Sequence, residues 1–164
     1  MEINLSGKTA LVTGGNVGIG RAIALALARC GADVAITFFE NDQAKTADEI
    51  RAMGRQAPCL HLDATNSAQV NQAFAQAAQE LGGHIDILVN NAGHLVGRAP
   101  IAGMSDEHWF KVINVNLTSC FFCCRAVLPY MNTGWGGLST CPRWRRATAA
   151  AGGQWHMRPP RAAS

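Results

Sequence analysis

The stretch Thr13-Gly14-Gly15-Asn16-Val17-Gly18-Ile19-Gly20 holds four glycines in eight residues. Glycine lets a backbone turn come close to a phosphate, and a helix that starts at the end of such a turn points free N–H groups at the anion. A glycine-rich turn alone is as readily a structural turn. Here it follows an apolar, β-branched run (residues 8–13) and precedes an Ala/Leu-rich helical pattern (18–30), the setting in which the anion-binding reading gains weight. Two further places could do chemistry. Asp63 closes an apolar segment, either as a turn aspartate or as an acceptor for a ring amino group. Asn90-Asn91-Ala92-Gly93 closes another, either as an Asn-rich turn or as the lip of a cleft, since ligands in open α/β sheets sit at the carboxyl ends of strands.

These residues need elements to position them. Apolar runs at 8–13, 33–39, 57–63 and 85–90 read as strands. Between them, 18–30, 42–54 and 67–83 have helical spacing and glycine stops, with Ser67 as a candidate N-cap. Residues 105–131 read as one long helix capped by Ser105, with acids in its first turn. Strands alternating with helices predict an α/β fold with a parallel sheet covered on both faces. No internal repeat is visible.

A chain of 164 residues is one domain by length, and 48% hydrophobic with 15% charged residues marks it as globular. The net charge of +3 conceals a split. Residues 1–134 hold nine Lys/Arg and eleven Asp/Glu, whereas 135–164 hold five Arg, no acid and three of the four Trp. The composition changes near Gly134. The start has no basic segment ahead of its short apolar run, so no secretory signal is expected, and no apolar run reaches the roughly 18 residues of a membrane span. The six cysteines lack a disulfide framework's spacing, which predicts reduced thiols in a cytoplasmic setting.

Thr-Gly-x-x-x-Gly-Ile-Gly, the Asp after the third strand, Asn-Asn-Ala-Gly and the Asn-Val-Asn-Leu-Thr-Ser segment stand in the order and spacing of the short-chain dehydrogenase/reductase family. The chain resembles that family over residues 5–134. The resemblance implies a Rossmann-type doubly wound parallel sheet, truncated to about four strands. It also implies binding of NAD or NADP, and hydride transfer between the nicotinamide and a carbonyl or alcohol of a small molecule. Carried over, Gly14, Asn16, Gly18, Ile19 and Gly20 would line the diphosphate and ribose. Asp63 and Ala64 would flank the adenine, and Asn90, Ala92 and Gly93 would border the cleft. Asn116 matches the family's catalytic Asn, which holds a water in the proton relay; Asn114 is its neighbour. The end of strand two, where NAD and NADP are told apart, holds Phe38, Phe39 and Glu40, which leaves the choice open.

The family's chemistry also needs a Ser, a Tyr that passes the proton, and a Lys four residues after that Tyr which lowers its pKa. The single Tyr is Tyr130, residue 134 is Gly, no Lys follows Lys111, and the later serines are Ser139 and Ser164 only. Displaced by one base, Gly136 to Arg145 can encode R-I-V-N-V-S-S-V-A, and the stretch from Gln154 to Arg161 can encode M-A-Y-A-A-S-K. Those read as the family's fifth strand with its Ser and as its Tyr-x-x-x-Lys. A base lost near Trp135 to Gly137 would make residues 135–164 an out-of-frame, disordered tail and the chain catalytically dead.

Other readings compete. A non-catalytic nucleotide-binding remnant describes the chain as it stands. The basic, Trp-bearing tail could bind nucleic acid, although its Arg density is modest. Cys120, Cys123 and Cys124 read as packing inside an apolar helix, and no set of residues has metal-ligand spacing. Neither nucleic acid nor membrane is expected as a partner. Family members pair through the long helix and the one after it, so a homo-oligomer is doubtful here. Without a fifth strand, residues 85–90 would form an open apolar edge, which predicts a poorly soluble, marginal protein.

Overall fold

The apolar runs become strands of one parallel sheet in the computed structural model, which describes residues 3–40, 45–131 and 137–140. The strands are β1 (Thr9–Val12), β2 (Asp33–Phe38), β3 (Cys59–His61), β4 (Ile87–Asn90) and β5 (Gly137–Thr140). The helices are α1 (Gly18–Arg29), α2 (Lys45–Ala52), α3 (Ser67–Glu80), α4 (Asp106–Ile113) and α5 (Ser119–Val127). The strand order is β3-β2-β1-β4-β5, all parallel. From β1 the chain steps outward through β2 to β3, then returns to lay β4 on β1's other side. The crevice of such a sheet opens where that reversal occurs, at the carboxyl ends of β1 and β4.

Alternation along β1 shows why both faces are apolar. Leu11 points into a core cluster with Leu60, Phe74, Leu88, Cys123 and Val127, on the side of α3 and α5. Ala10 and Val12 point the other way, into a cluster with Leu25, Val34, Ile36 and Ile50, on the side of α1 and α2. At the amino end of β4 the buried carboxylate of Asp86 ties that strand to β1. It accepts hydrogen bonds from Thr9 N at 3.0 Å and from Lys8 Nζ at 3.5 Å.

Several expectations are corrected. The edge of β4 is not open: β5 pairs along it in register, from Ile87 opposite Gly137 to Asn90 opposite Thr140. A ladder is made of backbone N–H and C=O groups, so a four-residue segment can supply it whatever its side chains. The four expected strands are therefore joined by a fifth. The cap of α3 is Asn66 and not Ser67, its side chain accepting from the N–H of Ala68 and Gln69 at 3.1 and 3.2 Å. Ser105 does cap α4, accepting from His108 N at 3.2 Å. The long helix runs from Asp106 to Tyr130 but is not uniform: Asn114–Thr118 forms a π-turn between α4 and α5. By length and composition alone this helix could cross a membrane. Its second half instead buries Cys123, Ala126 and Val127 in the core. Phe110, Leu117, Phe121 and Leu128 stay exposed along it. Apart from 137–140, residues 132–164 lie outside the described residues, and with them the expected disorder and the nucleic-acid reading of the tail.

Candidate functional site

The glycine turn leaves β1 and is stitched to its neighbours on both sides. Thr13 N donates to Val89 O of β4, and Gly15 N donates to Thr37 O of β2, each at 3.0 Å. Gly14 N donates to the Thr37 hydroxyl at 3.2 Å. Thr46, from α2, donates its hydroxyl to Asn16 O at 2.8 Å.

The tightest element is a clamp between Thr13 and the turn after β4. The Thr13 hydroxyl accepts from the N–H of both Asn91 and Ala92 at 3.0 Å and donates to Val89 O at 3.4 Å. That uses one hydrogen and two lone pairs, all a hydroxyl has. The Asn91 side-chain amide returns the contact, donating to Thr13 O and Gly14 O at 3.0 Å each. With these carbonyls tied back, the turn cannot fold over its own mouth.

Glycine is required in this clamp for two different reasons. Gly14 and Gly18 have φ of +63° and +57°, the left-handed region that side chains resist. A Cβ at Gly18 would meet nothing within 4 Å, so the space before it is open. A Cβ at Gly20 would overlap Gly14 O and Asn91 Nδ2, so that glycine lets α1 sit down on the clamp. Val17, the N-cap of α1, brings no side-chain acceptor to the first turn. The first N–H groups of α1 therefore face the opening, ready for an anion.

In front of them lies a cleft of about 460 Å³ lined by Gly14, Asn16, Val17, Gly18, Ile19, Phe39, Glu40, Asn91, Ala92, Gly93 and His94. Six expected site residues line it: Gly14, Asn16, Gly18, Ile19, Ala92 and Gly93. Gly20 lies behind the cleft as packing. Asn90 is buried, donating from Nδ2 to Cys124 Sγ at 3.3 Å. Asp63 closes a local turn, its Oδ1 accepting from Thr65 N at 2.9 Å and the Thr65 hydroxyl at 2.7 Å. Ala64 packs against the core on the α3 side. Asn116 sits in the π-turn and donates from Nδ2 to His94 O at 3.0 Å and to Val112 O at 2.9 Å. Its Oδ1 would lie 2.6 Å from a Cβ at Gly93, so glycine there admits the Asn116 amide to the cleft's edge. π-turns inside helices recur at functional sites.

Four residues that hold this arrangement, Thr13, Thr37, Thr46 and Asn91, are given no individual role by the sequence. The signal for two of them was present. Thr13 ends β1 at the start of the glycine turn, and Asn91 is the second Asn of the Asn-Asn-Ala-Gly segment.

A doubly wound parallel sheet with a glycine-lined anion cradle at its reversal point defines a dinucleotide-binding α/β protein. The family model described as short chain dehydrogenase matches residues 8–138, and the chain belongs to that family. Among curated proteins, a 3beta-hydroxysteroid dehydrogenase of Mediterraneibacter gnavus is 37% identical over 132 residues, 80% of this chain and 48% of that one. A sorbose reductase of Schizosaccharomyces pombe is 34% identical, covering 75% of this chain and 49% of its own length. A short chain dehydrogenase from Burkholderia cenocepacia, solved in complex with NADP, superposes with a TM-score of 0.80 at 34% identity, covering 91% of this chain and 61% of that chain. The chain thus spans about half the length of the curated relatives it matches.

Proposed function

We propose that this chain is the dinucleotide-binding part of an NAD(P)-dependent oxidoreductase, and that its 164 residues bind cofactor without turning over substrate. When bound, the nicotinamide group supplies the hydride acceptor or donor for a carbonyl/alcohol pair. The observation that carries the binding half is the clamp of Thr13 and Asn91, which holds a glycine turn open before an uncapped helix start. A cradle of that kind suits a diphosphate, and Gly18 leaves room for one. NADP in the Burkholderia cenocepacia relative, and NADPH in a metagenomic blue fluorescent protein with a TM-score of 0.76, support the cofactor class.

The inactive half rests on the proton. Asn116 can orient a water, but an amide does not gain or lose a proton near neutral pH. Tyr130, the single tyrosine, is remote from the cleft. Its carbonyl accepts from Ile85 N at 3.0 Å, at the amino end of β4. Asn91 lies six positions beyond Ile85, about 20 Å at strand rise. Lacking a Tyr with a Lys four residues on, the chain forgoes general acid help worth roughly 10²–10⁴-fold.

The test is a fluorescence titration of NADPH and NADH into the folded chain, alongside a ketone-reduction assay of this chain and of one with the frame restored near codon 135. Expected are binding without turnover here and turnover on restoration. A folded chain that binds neither cofactor overturns the first half. Steady ketone turnover by the 164-residue chain overturns the second.

A further inference from the structure

The cleft in front of the glycine turn has two ends, and they differ in charge. Asn91, Ala92, Gly93 and His94 line the end beside β4, whereas Phe39 and Glu40 line the end beside β2. The Asn116 amide meets the β4 end, so the reacting half of a dinucleotide belongs there and the adenosine half belongs at β2. The β2 end is held against the anion cradle. Gly15 N donates to Thr37 O at 3.0 Å and Gly14 N to the Thr37 hydroxyl at 3.2 Å, and Glu40 follows Thr37 by three residues. Rings stiffen the corner between them. Phe39 stacks on His61 of β3, with centroids 5.9 Å apart and 29° between planes, and Phe38 meets the same imidazole edge-on at 5.5 Å.

Glu40 is exposed and has no ion pair among the described residues. The cations nearest to it in the chain are placed elsewhere. Arg21 donates to Glu49 of α2 at 2.6 Å. Lys45 opens α2 one turn before Glu49, on the same helix face, and so adds to that pair. Arg29 sits at the far end of α1. From Cys30 to Ala44 the sequence holds no Lys or Arg, and its acids include Glu40 and Asp42. No Lys or Arg lines the cleft among the described residues, and His94, which can carry positive charge, is at the β4 end.

NAD and NADP differ only at the 2′-carbon of the adenosine ribose. One carries a hydroxyl there, the other a phosphate monoester with a charge of about −1.5 to −2. An ionised carboxylate only accepts hydrogen bonds, so it can take them from the two ribose hydroxyls. To a phosphate it offers no donor and a like charge. We propose that the cleft takes NAD(H) in preference to NADP(H), with the Glu40 carboxylate accepting from the adenosine ribose and repelling a 2′-phosphate. The inference rests on the nucleotide reading of the cleft and narrows it. NADP and NADPH in two relatives point to the phosphorylated cofactor, and the charge at the end of β2 in this chain argues the other way. Repulsion does more here than attraction. An exposed carboxylate gains little from hydroxyls that water also serves, while a doubly charged group with no cation to meet is excluded.

The test is direct fluorescence titration of the full chain with NADH and NADPH, followed by displacement of bound NADH with ADP-ribose or its 2′-phosphate. NADH should bind about tenfold more tightly than NADPH. ADP-ribose and its 2′-phosphate should differ by the same ratio, which places the discrimination at the adenosine ribose. Glu40→Gln keeps the shape without the charge and should close most of the gap, chiefly by strengthening NADPH binding. Glu40→Arg should invert the preference. Circular dichroism should find both variants folded, since Glu40 is exposed and unpaired. NADPH that binds the parent as tightly as NADH, or more tightly, overturns the inference and leaves the cleft a nucleotide site. A preference for NADH that both variants leave in place, or that the ADP-ribose pair does not share, also overturns it. A folded chain that binds none of the four ligands overturns the nucleotide reading itself, and this inference with it.

Discussion

Gly20→Ala adds one methyl group where there is no room for it. The new carbon would overlap Gly14 O and Asn91 Nδ2. Neither can withdraw alone, because Asn91 Nδ2 holds Gly14 O and Thr13 O at the same time. The chain has two ways out. α1 can lift off the clamp, an overpacking strain of about 1–3 kcal/mol. Alternatively Asn91 swings away, which loses two hydrogen bonds of about 1 kcal/mol each and leaves two carbonyls to find water. Either route costs about 2 kcal/mol at the middle of its range. At about 2–4 °C per kcal/mol for a domain of this size, the thermal midpoint should fall by about 4–8 °C. Gly18→Ala is the contrast. Its Cβ meets nothing, so the cost is only the left-handed backbone, about 1–2 kcal/mol, but the methyl enters the space proposed for the diphosphate. Melting followed by circular dichroism, with and without NADPH at about 100 times its Kd, separates the two. Bound cofactor should stabilise the parent by about 2.7 kcal/mol. Gly18→Ala should lose most of that gain while melting closer to the parent than Gly20→Ala does. A Gly20→Ala protein that melts within about 2 °C of the parent and gains the same from NADPH would refute the clamp as described.

Thr13→Val keeps the shape of the side chain but strips the hydroxyl that Asn91 N and Ala92 N both use, so urea denaturation should show a loss of about 2–4 kcal/mol. The Arg21–Glu49 pair, 2.6 Å apart, bridges α1 and α2, and the Arg21 guanidinium holds the Glu49 carboxyl below its ordinary 4.5. A carboxyl depressed in the folded state stabilises above its unfolded pKa, and that contribution is lost as pH falls through the folded value. The melting-temperature difference between Glu49→Gln and the parent should therefore be small at neutral pH, where salt screens an exposed pair, and should shrink as pH falls below 4.5, vanishing only below the depressed folded value. A difference that grows in acid would contradict the sign.

The alternation of strands and helices was legible because fully covered parallel strands read as short apolar runs and their helices end in glycine. The glycine turn was legible by its place after β1. What sequence did not disclose depends on contacts between distant residues. Asn91 and Thr13 stand 78 positions apart, and nothing in either residue type says that an amide will meet two carbonyls. Asn66 and Ser67 are both good caps, and the register of α3 against the sheet decides between them. The π-turn at Asn114–Thr118 leaves no mark on the apolar spacing. β5 was missed because Gly-Leu-Ser-Thr has a weak strand pattern, while pairing draws on backbone groups that every such segment carries.

The two halves of the proposed function separate along the chain. Every contact that shapes the cradle lies between Thr13 and Ala92: to Thr37 in β2, to Thr46 in α2, and to Val89, Asn91 and Ala92 at the end of β4. None of them needs a residue beyond Ala92. Proton transfer has the opposite dependence. Asn116, the expected site residue at the cleft's edge, is held by the His94 and Val112 carbonyls and has only its Oδ1 left to orient a water. A water so placed needs a donor whose pKa is tuned by a neighbouring cation, and Tyr130 is at the wrong end of β4 to be it. On the proposed function, the side-chain contacts of the cradle draw on nothing in residues 135–164, which among the described contacts meet β4 through backbone pairing alone, whereas catalysis depends on how that segment is written. Binding should survive exchange of that segment, and turnover should follow it.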